Sequence, residues 1–164
     1  MTSLQDRITR FNADEGALIA DYYDGVGTSH FFQTFMERLA GVMQLRSGSL
    51  GISNLTSREI KGGWPWNIEP LYLAIYVAGD LASKDRLLQH VMQSPPGSFY
   101  GIEADLPDAE EYQQSSEVYE TWATPQGIRD VAMALLWHEE DWVGFIVLHR
   151  TQEQGPFLEQ EFAL

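Results

Sequence analysis

Residues 128–150 have the sequence IRDVAMALLWHEEDWVGFIVLHR, and this stretch decides the fold. It predicts two long strands joined by a tight turn, because the acidic segment at residues 138–141 is too polar to bury and short enough for a hairpin loop. Both flanking runs are apolar at nearly every position, which is typical of strands covered on both faces. We therefore expect this hairpin to lie in the middle of a sheet.

The rest of the chain supplies patterns for the edge strands and the covering helices. Apolar residues at helical spacing predict helices at residues 4–22, 30–43, 69–79, 83–92, 106–114, 116–122 and from 156 onward. Further strands are predicted at residues 47–54, 58–66 and 98–102. This order predicts an α+β fold, in which an antiparallel sheet of about five strands carries helices packed on it, as in GAF- and PAS-like sensory domains.

Composition places limits on what the chain does. A length of 164 residues fits a single domain spanning residues 1–164. The absence of cysteine excludes disulfides and thiolate metal sites, and no apolar run reaches the roughly 18 residues of a membrane helix. The N-terminus has no signal-peptide pattern, which favours a cytoplasmic location. A formal net charge of -14 would repel phosphate backbones, so we expect this chain alone not to bind nucleic acid.

The sequence contains no recognisable catalytic or metal-binding motif. The four histidines are scattered, and none belongs to an HExxH pattern. No GxSxG, P-loop or GxGxxG motif is present. We therefore predict that the protein is not an enzyme and that it has no metal site and no cofactor.

Aromatic residues are dense between residues 64 and 122, and this predicts a ligand pocket. Aromatic rings give a small-molecule cavity its apolar area, while tyrosine hydroxyls and tryptophan N–H groups orient the ligand. On one predicted helix, two tyrosines lie four residues apart and an aspartate follows one turn later. From the central strand, a methionine and a tryptophan point to one face and would form the floor. The predicted ligand-binding residues are Trp64, Trp66, Tyr72, Tyr76, Asp80, Tyr119, Trp122, Met133 and Trp137. The alternative is that these rings are ordinary core.

Three short motifs occur in order in the second half of the chain. Residues 94–97 are SPPG, and residues 116–127 match the pattern S-x-x-Y-x-x-W-x-x-P-x-G. Leu148-His149-Arg150 is then followed by Gly155-Pro156-Phe157 and Glu161. Over roughly residues 72–164, this arrangement resembles the N-terminal sensory domain of LuxR-type helix-turn-helix transcriptional regulators.

The resemblance implies a cytoplasmic regulator with a basic DNA-binding domain after residue 164. A helix that starts at Pro156 has no C-terminal cap before residue 164, so we expect the polypeptide to continue. In the autoinducer-binding branch, a Trp, a Tyr and an Asp orient an acyl-homoserine lactone. The nearest counterparts here are Trp66, Tyr72, Tyr76 and Asp80. The chain departs from the family's Asp-Pro pairing, since neither Asp80 nor Asp85 is followed by proline.

Two functions from different classes follow. In the first, a small, partly apolar ligand binds between the sheet and the helices around residues 72–122, shifts the terminal helices and so controls an attached DNA-binding domain. In the second, the same fold is a ligand-free dimerisation or protein-interaction module. Both imply a homodimer formed through the N-terminal or the final helix.

Overall fold

A computed structural model of the chain describes residues 30–57 and 59–162, without the side chain of Ile60. The helix predicted over residues 4–22 and the last two residues of the chain lie outside this range. The strands are β1 (Ser47–Asn54), β2 (Ile60–Trp66), β3 (Phe99–Gly101), β4 (Asp130–Glu139) and β5 (Trp142–Arg150). They form one five-stranded antiparallel sheet in the order β2-β1-β5-β4-β3. The predicted fold class is confirmed.

Helices cover both faces of this sheet. They are α1 (Phe31–Met43), α2 (Pro70–Ala78), α3 (Arg86–Val91), α4 (Ile102–Asp105), α5 (Ala109–Ser115) and α6 (Glu159–Phe162). Short 3-10 turns occur at Leu81–Ser83 and Thr124–Gln126, and a π-helical turn occurs at Tyr119–Ala123. No helix within residues 30–57 and 59–162 is both long enough and apolar enough to span a membrane.

The predicted hairpin lies at the centre of the sheet, because β5 is the middle strand and β4 is its neighbour. Alternate residues of β4 enter different cores. Val131, Met133 and Leu135 face α2 to α5, while Ala132 and Ala134 face α1. Double coverage explains why both strands are apolar throughout. The turn is shorter than predicted, since Glu139 pairs with Trp142 and leaves a two-residue loop. Its first residue, Glu140, has a φ of 53°, as such tight hairpins require.

Two predicted helices begin later in the structure than expected. In the segment 83–92, Ser83 is the last residue of a 3-10 turn and α3 begins at Arg86, capped by Asp85 and not by Ser83: the Leu88 backbone N–H donates to Asp85 Oδ1 at 3.1 Å. In the segment 106–114, the helix begins only at Ala109, because Leu106 precedes Pro107 and adopts an extended conformation, with φ -90° and ψ 122°. The first correction has a consequence for function, because the cap places the Asp85 carboxyl beneath α2.

Arg150 joins the end of β5 to the final helix through a fully buried guanidinium. Its Nη1 and Nη2 donate to the two carboxylate oxygens of Glu161 at 2.9 and 3.0 Å, and Nη1 also donates to the Pro156 carbonyl at 2.9 Å. The same guanidinium donates to the Met43 carbonyl at the end of α1 and lies 4.2 Å from the centroid of the Phe157 ring. The Arg, Gly-Pro-Phe and acidic motif is therefore one structural unit.

We predict that Arg150→Met lowers the free energy of unfolding by about 3 kcal/mol, because removing one partner of a buried ion pair leaves the other charge uncompensated. Urea denaturation measures this loss. Arg86→Met is the matched control: its pair with Asp108 is about 40% exposed, so its loss should stay under about 1 kcal/mol. Equal losses in the two variants would contradict the role given to Arg150.

Candidate ligand-binding cavity

A cavity of about 460 Å³ lies between the sheet and the layer formed by α2 to α5. Volumes of roughly 300 to 1,000 Å³ are usual for small-molecule sites. Its walls are mainly apolar, with Leu73 and Val77 from α2, Leu88 from α3, and Met133 and Val147 from the sheet. The space is therefore suited to a small molecule with a substantial apolar part.

Space remains between the sheet and the helices because strands β1 and β2 place small residues on the cavity floor. Alternation along β1 puts Ser49, Gly51 and Ser53 on one face, opposite Gly63 and Pro65 of β2. Four of these five residues line the cavity, and Gly51 is the exception. At Gly51 there is no room for a side chain, since a Cβ would lie 2.2 Å from the ring of Phe145 on β5. The floor thus has little side-chain volume, and the helices above it cannot fill the space.

Aromatic residues of the π-helical turn form one wall. The Trp122 ring packs edge-on against Tyr76 at 5.4 Å between centroids, and its Nε1 donates to the Tyr72 carbonyl at 2.9 Å. The Tyr119 hydroxyl donates to the Arg129 carbonyl at 2.8 Å. Because a π-turn is rare and frequent at functional sites, its position against this cavity supports a binding role.

Tyr76 and Asp85 form the main polar pair in this apolar cavity. The Tyr76 hydroxyl donates to Asp85 Oδ2 at 2.9 Å, while Asp85 Oδ1 caps α3. Burial raises the pKa of the Asp85 carboxyl, and burial together with the neighbouring carboxylate raises the pKa of Tyr76. A buried carboxyl with lone pairs remaining is an acceptor that a ligand N–H or O–H can reach.

Five of the nine residues predicted from the sequence to bind ligand line this cavity, namely Trp64, Tyr76, Tyr119, Trp122 and Met133. The other four, Trp66, Tyr72, Asp80 and Trp137, are not part of its lining. Trp64 only borders the space, because its ring stacks on Phe32 of α1 at 4.1 Å on the other side of the sheet. That any of them contacts a ligand stays a prediction.

The positions of those four residues explain why they lie outside. Trp66 follows Trp64 by two residues on β2 and so packs in the core against α1. Tyr72 offers Trp122 its carbonyl oxygen. Asp80 is exposed in a left-handed turn, with φ 48°. Trp137 is 38% exposed near the hairpin tip, where its ring covers Gly144, and it does not form the floor with Met133.

Sequence reasoning missed Asp85, the small floor residues and His149. Asp85 had a recognisable signal, since an aspartate directly before Arg-Leu-Leu is a good N-cap for a short helix. The alternation of small residues in SGSLGISN, residues 47–54, was also visible. Neither signal shows that an aspartate and a row of serines meet at one cavity.

A wider groove of about 690 Å³ lies on the other side of the sheet, between α1 and β2. It begins at His30, the first described residue, so the described residues give it only part of a wall. Among those residues, no group of three or more His, Asp or Glu side chains could hold a metal ion.

Solved structures share this arrangement of sheet and helices. The VqsR ligand-binding domain from Pseudomonas aeruginosa superimposes with a TM-score of 0.67 at 13% identity, over 90% of this chain and 85% of that one. The fold is that of LuxR-family ligand-binding domains. The N-acylhomoserine lactone dependent LuxR-family factor CepR2 from Burkholderia cenocepacia gives 0.64 at 14% identity, over 92% and 85%.

Escherichia coli SdiA gives a TM-score of 0.66 at 16% identity, over 92% of this chain and 60% of the SdiA chain. SdiA has also been solved in complex with octanoyl-rac-glycerol. No protein-family model and no curated protein sequence matches the chain. At these identities the likeness establishes the fold, and the ligand has to be argued from the cavity.

We predict that Asp85→Asn becomes more stable relative to the wild-type chain as the pH rises from about 4 to about 7. Burial raises the pKa of Asp85, so the folded protein holds this proton to a higher pH than the unfolded chain does. Its contribution to stability is thus present at low pH and is lost as the pH rises through the raised pKa. Urea denaturation at several pH values measures the difference, and a difference independent of pH would contradict the assignment.

Proposed function

We propose that this chain is the signal-sensing domain of a LuxR-type transcriptional regulator. It binds a small, partly apolar ligand in the cavity and controls a DNA-binding domain that follows residue 164. The observation that carries the proposal is the apolar cavity of about 460 Å³ with the Tyr76–Asp85 pair in its wall. A domain with no ligand gains nothing from an unfilled apolar space, because unfilled volume reduces stability.

The ligand's polar group binds at Asp85 and its apolar part lies along Leu73, Val77 and Leu88. Asp85 accepts hydrogen bonds, so the ligand offers an amide N–H or a hydroxyl. An acyl-homoserine lactone offers an amide N–H, and an acyl glycerol offers hydroxyls. Both carry an acyl chain that suits apolar walls, so these two classes are the first to test.

A contact path connects the cavity to the end of the described chain. Tyr119 in the cavity wall donates to the carbonyl of Arg129, the residue before Asp130. Asp130 Oδ2 accepts the Phe157 backbone N–H at 2.8 Å, two residues before the start of α6. A ligand that moves the π-turn would therefore shift the start of α6 and the segment that leads to the DNA-binding domain.

The remaining parts of the proposal concern partners. The domain works in the cytoplasm as a homodimer and has no catalytic activity of its own. It contacts DNA only through the following domain, since a net charge of -14 opposes binding to phosphate. A basic following domain would balance that charge.

We predict that Asp85→Asn weakens binding of octanoyl glycerol or an N-acyl homoserine lactone about 10-fold, because the amide has one acceptor oxygen fewer for the ligand's donor. Isothermal titration calorimetry on the 164-residue chain measures the affinity. Asp80→Asn is the matched control, since that residue lies five positions earlier and outside the cavity lining, and its affinity should equal that of the wild type. A loss in Asp80→Asn alone would move the site away from Asp85.

The second candidate function is a ligand-free interaction module, and one observation favours it. Helix α2 is strongly apolar, yet none of its residues is buried and Leu71, which lies outside the cavity lining, is 61% exposed. Exposed apolar residues on one helix are typical of a protein contact. This module would need no cavity. A substitution that fills the cavity would therefore abolish ligand binding but leave the protein contact intact.

We predict that Ser49→Leu abolishes ligand binding while the chain stays folded, because the leucine occupies the space above β1. Gln93→Leu, at an exposed position outside the cavity, is the control and should bind normally. Calorimetry with the same ligands and circular dichroism measure binding and folding. If no variant and no wild-type chain binds, while Leu71→Ser breaks a dimer in sedimentation experiments, the interaction module is the better account.

A further inference from the structure

His149 is a buried titratable residue that has no role in the proposed function as described above. It lies near the end of the central strand β5, is 2% exposed, and lines the cavity. Its Nδ1 is 2.9 Å from the Ser47 hydroxyl on β1, and Ser47 is not part of the cavity lining. We therefore infer that the Nδ1 edge of the ring faces away from the cavity and that the Nε2 edge faces towards it.

Nε2 has no hydrogen-bond partner among the described residues. Its nearest aromatic neighbour is Trp122, whose ring packs edge-on at 5.3 Å between centroids. A ring face is a weak partner for an imidazole nitrogen. Nε2 is not among the fully enclosed atoms that lack a partner, so a ligand group in the cavity can reach it.

The imidazole is neutral at physiological pH. Burial, together with the charge of Arg46, lowers the pKa of His149 to about 3. A neutral imidazole has one nitrogen that donates and one that accepts, and the Ser47 hydroxyl can satisfy Nδ1 in either state. The matching ligand group is thus uncharged, and a hydroxyl serves both tautomers while a carbonyl serves the one with a proton on Nε2.

Resting on the proposed function, we propose that His149 is a second polar anchor of the cavity, which hydrogen-bonds an uncharged oxygen group of the ligand through Nε2. Trp122 contacts both this anchor and Tyr76, so its ring lies beside the path between the two polar sites. The ligand class becomes narrower: an amphiphile with an apolar chain and two uncharged polar groups, one for Asp85 and one for His149.

The test compares two probes and two variants of the 164-residue chain by calorimetry. Octanoyl glycerol carries several polar groups, whereas 1-octanol has a single hydroxyl, which Asp85 can take. His149→Phe keeps a ring but removes both nitrogens. We expect it to weaken the binding of octanoyl glycerol about 10-fold and the binding of 1-octanol less than about 3-fold. Ser47→Ala removes the partner of Nδ1 but leaves Nε2, so both affinities should be close to wild type.

A spectroscopic measurement keeps the proposal testable if His149→Phe does not fold. In the wild-type chain labelled with 15N-histidine, the Nε2 resonance should shift when octanoyl glycerol is added and stay in place with 1-octanol. An unmoved Nε2 resonance, or equal losses for both probes in His149→Phe, would overturn the anchor and leave the proposed function intact. Failure of the wild-type chain to bind any acyl glycerol or N-acyl homoserine lactone would overturn both.

Discussion

The buried charge of Arg150 is the constraint on which this end of the structure depends. A guanidinium with no exposure to solvent is stable only if carboxylate and carbonyl oxygens surround it. Here those oxygens come from α1, from the loop after β5 and from Glu161, so these segments are held together. Asp130, beside Arg150 on β4, then fixes the backbone of Phe157. The sheet and the final helix thereby behave as one unit. The cavity wall is attached to this unit by the hydrogen bond from Tyr119 to the Arg129 carbonyl.

Much of the fold is accessible from the sequence, because periodicity reports burial. The central hairpin, the strand Ser47–Asn54 and the helix ending at Met43 follow from apolar spacing alone. The helices between residues 81 and 115 were less predictable, since local effects decide them. A proline delays the start of one from residue 106 to Ala109, and a competing N-cap moves the start of another from Ser83 to Asp85. Such boundaries depend on which side chain reaches which backbone group, and periodicity does not contain that information.

The cavity was predictable in kind and only partly in detail. Aromatic density correctly indicated Tyr76, Tyr119 and Trp122 as neighbours of one space. The same reasoning also selected Trp66, because aromatic content does not reveal to which side of a two-faced sheet a ring points. Strand alternation with Met133 selected Trp137, but a register shift between Leu135 and Trp137 breaks that alternation. The decisive residues on the floor are small, and small residues are ordinary in loops and turns. Their meaning appears only when the register of β1 against β5 places Gly51 beneath Phe145.

On the proposed function, the burial of Asp85 would link the lifetime of the protein to ligand binding. Without a ligand, this carboxyl lies in apolar surroundings, with Tyr76 and the Leu88 amide among its partners, and its burial reduces the stability of the fold. A ligand donor would relieve that penalty and, by mass action, lower the fraction of unfolded chains. Cellular proteases remove unfolded chains first. On the proposed function, the amount of this protein in the cell would then rise with the ligand, before any change in DNA binding.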